Sequence, residues 1–145
     1  MDRKLISKEL DINRVVFIGR TFDEYMKMFN LSIESLKDKK VLDCPGGACS
    51  FTAIASQQGI DSTSADIVYF FEYQALKQKG LLDIEHTANE IQKVKQNYIW
   101  KFFEDIESLK KTRLQALNDC SDHMQQASEK YVGKRPLNTP YEFVL

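Results

Sequence analysis

The chain has 145 residues, 43% of them hydrophobic, and its 20 Lys and Arg against 21 Asp and Glu leave a formal net charge of -1. That size and composition suit one soluble domain with a core of its own, and the balanced charge disfavours nucleic acid and anionic membranes as partners. No apolar run approaches the roughly 18 residues of a membrane span, and the charged start MDRKLISKEL lacks the apolar stretch of a signal peptide, so a cytoplasmic protein is expected.

In chain order, Val15 to Ile18 form a short apolar run closed by Gly19 and Arg20, either a small edge strand or an apolar latch. Thr21 or Asp23 can start a helix in which Phe22, Tyr25, Met26 and Phe29 recur at three and four, giving one apolar face. Ser32 opens a short helical turn that delivers the chain into Val41 and Leu42, read as a buried strand closed by Asp43. Pro45, Gly46 and Gly47 then break regular structure. Ser50 can cap a helix from Phe51 to Gln58, ended by Gly59. A second strand, Ser62 to Ala65, finishes at Asp66.

The order is strand, glycine turn, helix, strand, acid. Adjacent glycines let a backbone turn tightly and let a ligand approach without meeting a Cβ. The following helix offers unpaired N–H groups, and an acid ending the next strand can accept hydrogen bonds from ribose hydroxyls. A purely structural turn is the competing reading. Neither GxGxxG nor GxxxxGK[ST] is present, which removes the dinucleotide fingerprint and the P-loop.

The run Leu42, Asp43, Cys44, Pro45, Gly46, Gly47, Ala48, Cys49, Ser50 and Phe51 resembles motif I of the class I S-adenosylmethionine-dependent methyltransferases, in the variant LDxPGGxxSF. Pro45 stands at the first glycine position of the commoner GxGxG form. The resemblance implies that Asp43 lies near the methionine amino end and that Cys44, Pro45, Gly46, Gly47, Ala48 and Ser50 pack along the cofactor. It implies too that Asp66 holds the ribose, Ile67 lies against the adenine, and Tyr25 on a leading helix covers the crevice. The cofactor implied is S-adenosylmethionine or S-adenosylhomocysteine.

Beyond Asp66 comes an aromatic cluster, Tyr69, Phe70, Phe71 and Tyr73, suited to packing under helices or to stacking a base or ring substrate. Phe70 to Gln78 reads as a helix stopped by Gly80, with Leu81 to Ile84 a short apolar bridge. From Thr87 to about Lys130 the pattern is helical. Ile91, Val94, Tyr98, Phe102, Ile106 and Leu109 share one face, and the run Lys110 to Arg113 is read as the break between two helices. His86 and His123 read as surface histidines. Cys44, Cys49 and Cys120 read as free thiols with no metal site. Tyr131 and Val132 form a third strand, and Tyr141 to Leu145 begins a fourth.

The fold expected is α/β, an incomplete Rossmann-like methyltransferase fold with a short parallel sheet. Its parts are a helical cap (1–39), a cofactor-binding unit (40–84), a helical insertion (85–130) and the start of further strands (131–145). The function implied is S-adenosylmethionine binding, with methyl transfer to an unassigned, small-molecule acceptor; no catalytic base is named. Alternatives are a non-catalytic methyltransferase-like domain and a helical interaction module. An open half sheet favours a homodimer or a complementary chain.

Overall fold

In the computed structural model, residues 11–94, 105–134 and 140–145 are described. Four parallel strands run β3-β2-β1-β4: β1 is Lys40–Asp43, β2 Asp61–Ala65, β3 Tyr131–Val132 and β4 Phe143–Val144. Register pairs Val41 with Ser62 and Asp43 with Ser64 on one side of β1, and Val41 with Phe143 on the other. The chain winds outward from β1 through β2 to β3, then returns to place β4 on β1's far side. This is a Rossmann-like α/β arrangement, and its order reverses at the carboxyl end of β1.

Helix α1 (Phe22–Met28) starts at Thr21, whose hydroxyl and the Glu24 side chain cap each other's backbone N–H groups. Ser32 and Ser35 do the same for α2 (Ile33–Leu36). Helix α3 (Phe51–Gln57) ends at Gly59, whose φ of 77° lies in the left-handed region that glycine supplies without strain. Phe22, Tyr25, Leu36, Val41, Phe51 and Ala55 bury together on one side of the sheet. β2 is polar, yet Ser62 and Ser64 are fully buried because both bond the Thr52 hydroxyl of α3, at 2.8 and 2.7 Å.

The helical half differs from the sequence reading in two places. Gly80 does not stop a helix, and Leu81 to Ile84 is no bridge; α4 runs unbroken from Tyr73 to Lys93. A Cβ at Gly80 would lie 2.6 Å from Leu117 Cδ1 and 3.2 Å from the Phe17 carbonyl, so the glycine is there for close helix packing. Nor is Lys110 to Arg113 a break. It lies inside α5 (Ile106–Gln126), where Lys110 reaches Glu85 on α4 and Arg113 reaches Glu24 on α1. Charges three apart share a helix face, and this pair ties α5 to its neighbours. Ile91 is buried on α4 and Val94 ends it, whereas Tyr98 and Phe102 of the expected apolar face lie outside the described residues.

Val15 to Ile18 form no strand; the latch reading holds. Phe17 is fully buried with Leu76, Ile84 and Leu117, and its N–H donates to Asp83 Oδ2 at 2.8 Å. β3 is preceded by a 3-10 turn at Ser128–Lys130, and Tyr131 and Val132 pair with β2 as the third strand. No described helix is long and apolar enough to cross a membrane.

Candidate functional site

The carboxyl end of β1 opens into Cys44–Pro45, a cis peptide, followed by Gly46 and Gly47. The two glycines have different reasons. A Cβ on Gly46 would sit 2.4 Å from the Tyr69 hydroxyl and 2.8 Å from Ser64 Cβ, so internal crowding requires glycine there. Gly47 has φ 49°, and a built Cβ would meet only ordinary van der Waals contacts, the Ile18 carbonyl at 3.6 Å and Asp66 Oδ2 at 3.9 Å. Gly47 is the one a ligand can approach.

The turn is held from several directions. Gly46 N–H donates to the Ala65 carbonyl at 3.0 Å, and Gly47 N–H donates to Asp66 Oδ2 at 2.9 Å. The Tyr69 hydroxyl donates to the Gly47 carbonyl at 2.8 Å. Asp66 also caps the 3-10 turn Ile67–Phe70 by accepting from Val68 N–H at 3.1 Å. Each oxygen of Asp66 thus holds one backbone N–H, and a carboxylate has about four lone-pair sites, which leaves capacity for two more donors. Beside it Ile67 is 51% exposed, an apolar side chain at the mouth.

Asp43 lies beneath, 1% exposed. The Tyr25 hydroxyl of α1 donates to its Oδ1 at 2.9 Å and lies 3.2 Å from Cys49 Sγ. Oδ2 is buried with no hydrogen-bond partner. Burial, with the Asp66 charge adding to it, raises the Asp43 carboxyl to about 7, against the Tyr25 hydrogen bond that lowers it. Burial likewise raises the Tyr25 hydroxyl and the Cys49 thiol. The result is a buried carboxyl with one oxygen satisfied and one free.

A strap crosses the turn. A Cβ on Gly19 would lie 2.1 Å from the Ala48 carbonyl carbon, and Ser50 N–H donates to the Arg20 carbonyl at 3.0 Å. Ser50 does not cap α3; its hydroxyl accepts from Phe22 N–H at 3.0 Å, joining α3 to α1. Arg113 clamps the strap from α5, donating to Glu24 Oε1 at 2.6 Å, Oε2 at 3.1 Å and the Gly19 carbonyl at 3.2 Å. Burial alone would raise Glu24, but its bonds from Arg113 and Thr21 hold it below the ordinary carboxylate range.

The structure therefore brings Asp43, Gly46, Gly47, Asp66 and Tyr25 together, with Ile67 at the rim and Cys44 half-buried beside the turn. Ala48 is fully buried under the strap, and Ser50 is spent on α1. The sequence reading missed the Arg113 clamp, the Gly19 contact and the His123–Tyr131 pair, whose Nδ1 and hydroxyl lie 2.8 Å apart. His123 is thus a half-buried partner of Tyr131 rather than a surface residue.

Over 124 residues the chain is 29% identical to the uncharacterised protein MJ0045 of Methanocaldococcus jannaschii, in a match covering 85% of this chain and 56% of that protein. The chain thus spans little more than half the length of the curated relative it matches. No family model and no solved structure matches it.

Proposed function

We propose that the crevice over the glycine turn binds S-adenosylmethionine or S-adenosylhomocysteine, and that the chain forms the cofactor-binding part of a class I methyltransferase. One observation carries the reading. Asp43 Oδ2 is a buried carboxylate oxygen without a donor, and leaving such an atom unpaired costs about 1–3 kcal/mol. A ligand ammonium group is the complement to that oxygen. Gly47 offers close approach, Asp66 has lone pairs to spare for a ribose, and Ile67 offers an apolar surface for the adenine. The sulfonium supplies an electrophilic methyl group; the chain's share is to hold the cofactor and exclude water. The acceptor is unassigned. We further propose a cytoplasmic protein in which β4, paired on one side only among the described residues, meets a second copy or a complementary chain. Light scattering at micromolar concentration tests that pairing, and a mass near 16.8 kDa would remove the homodimer.

A second reading has one observation in its favour. Asp66 already holds Gly47 and Val68, so the acid also has a structural use, as it would in a non-catalytic domain of the same fold. Two variants separate ligand binding from turn structure. Gly47→Ala and Gly47→Leu pay a similar cost for the left-handed backbone, about 1–2 kcal/mol. Only leucine fills the approach to the turn. Loss of S-adenosylhomocysteine binding in the folded leucine variant, with binding kept in the alanine variant, is expected; equal affinities would remove this crevice. Formation of a methylated product then separates enzyme from binding domain.

A further inference from the structure

Beside the glycine turn, on the side of β3, lies a cleft of about 570 Å³ walled by aromatic side chains. Tyr69, Phe70, Phe71 and Tyr73 come from the 3-10 turn after Asp66 and the start of α4, and Tyr131 comes from β3. These are the aromatics that the crevice over the turn leaves unused, apart from the hydroxyl of Tyr69. The Tyr69 and Tyr131 rings meet edge to face, centroids 5.4 Å apart and planes at 89°, so they form two walls of a corner. Their polar ends point elsewhere. Tyr69 donates to the Gly47 carbonyl, and the Tyr131 hydroxyl is paired with His123 Nδ1. Both rings belong to the core and are only 7% exposed, so they close the back of the cleft, and the half-buried rings of Phe71 and Tyr73 are what it offers a ligand.

Charge decides which ligand that is. Among the described residues the lining holds one charged side chain, the exposed carboxylate of Glu72, and no Lys or Arg. The N-terminus of α4 opens at the same place and by itself attracts anions, with an effective charge of about +0.5. Glu72 is its N-cap residue, makes no capping bond, and places an exposed carboxylate at the cleft. His123 behind Tyr131 adds no positive charge near neutral pH, because burial, aided by Lys130 and opposed by Glu129, holds its imidazole below the ordinary value.

We infer that this cleft is a binding site for a small organic cation, an amine or methylated ammonium group held against the aromatic walls and paired with Glu72. Ring faces attract such cations through their quadrupoles. The site is separate from the crevice over the glycine turn and does not depend on how that crevice is read.

Choline and its neutral isostere 3,3-dimethylbutan-1-ol differ by the charge alone, and both can be titrated into the whole chain by NMR. Choline is expected to bind in the millimolar range and to outbind the alcohol severalfold, as a partly exposed cation–aromatic contact implies. Tyr73→Leu keeps the apolar volume and removes a ring, and Glu72→Gln keeps the shape and removes the charge. Each should weaken choline severalfold and leave the alcohol unchanged. Gly47→Leu should leave choline affinity unchanged, so that failure of this cleft and failure of the glycine-turn crevice read out separately. Equal affinity for choline and the alcohol would reduce the cleft to an apolar groove. Binding of inorganic phosphate in place of choline would assign it to the helix N-terminus, and no response to choline at 10 mM (roughly the weakest binding worth a site) would also overturn the inference.

Discussion

Tyr69 has one end in each of two regions that the fold treats in opposite ways. At its hydroxyl is the glycine turn, where almost every polar atom has a partner within the chain and the packing leaves no room even for a methyl at Gly46. At its ring is an open cleft whose tyrosine hydroxyls are bonded elsewhere and whose volume is unfilled. The turn is over-determined and carries one unmet bond, at Asp43 Oδ2; the cleft is open and carries one carboxylate among its described lining residues. A polar ligand that repairs one atom suits the first, and a cation that fills space suits the second.

The sharpest way to break the contrast is Gly46→Val. Its Cβ would overlap the Tyr69 hydroxyl and Ser64, and overpacking of this kind should lower stability by roughly 2–3 kcal/mol in urea unfolding. An unchanged midpoint would show that the turn gives way around an added side chain. Next comes Asp43→Asn, expected to weaken S-adenosylhomocysteine by roughly 10- to 100-fold through loss of a charge-assisted hydrogen bond. The same variant tests pH dependence. The Asp43 carboxyl titrates at about 7 in the fold against an ordinary 3.8, so the folded state keeps a proton that the unfolded chain gives up. Its contribution to stability is therefore greatest below about pH 3.8, declines as pH rises, and levels off above about 7. Relative to the asparagine variant, the wild type should lose stability across that window, while its affinity for S-adenosylhomocysteine should rise through the same window and then plateau. A stability difference flat with pH would show that Asp43 ionises normally. The smallest effect expected is that of Tyr69→Phe, about 1 kcal/mol from the lost bond to Gly47 with choline affinity kept, because the ring remains.

Much of the sheet was legible because local signals agreed with one another. The Val41–Leu42 run, the Pro45–Gly47 break, Gly59 and Asp66 all stand where the strands and α3 begin or end. Ser32 was equally plain, and of the two candidates Thr21 and Asp23 it is Thr21 that caps α1. The helical half was misread where tertiary contact overrides a local rule. Gly80 is a stop signal in isolation, but against Leu117 it is the residue that lets α4 and α5 touch, at a propensity cost of about 1 kcal/mol. Lys110 to Arg113 looks like a surface turn until Glu85 and Glu24, far away in sequence, come to face it. In the site, Asp43 and the glycines were visible as types at a spacing. That Gly46 answers to packing and Gly47 to access was not, because the difference lies in the positions of Tyr69, Ser64 and Ile18. Ser50 is a similar case: a serine before a helix is ordinarily its cap, but here Phe22 N–H takes the hydroxyl.

The most direct test of the glycine-turn crevice is calorimetric titration of S-adenosylhomocysteine into the folded wild-type chain at pH 8, where Asp43 is ionised. Binding in the micromolar range, weakened roughly 10- to 100-fold in Asp43→Asn, is expected. No heat of binding from a sample whose fold is verified by circular dichroism would contradict the reading and leave the turn as a structural feature of a Rossmann-like domain.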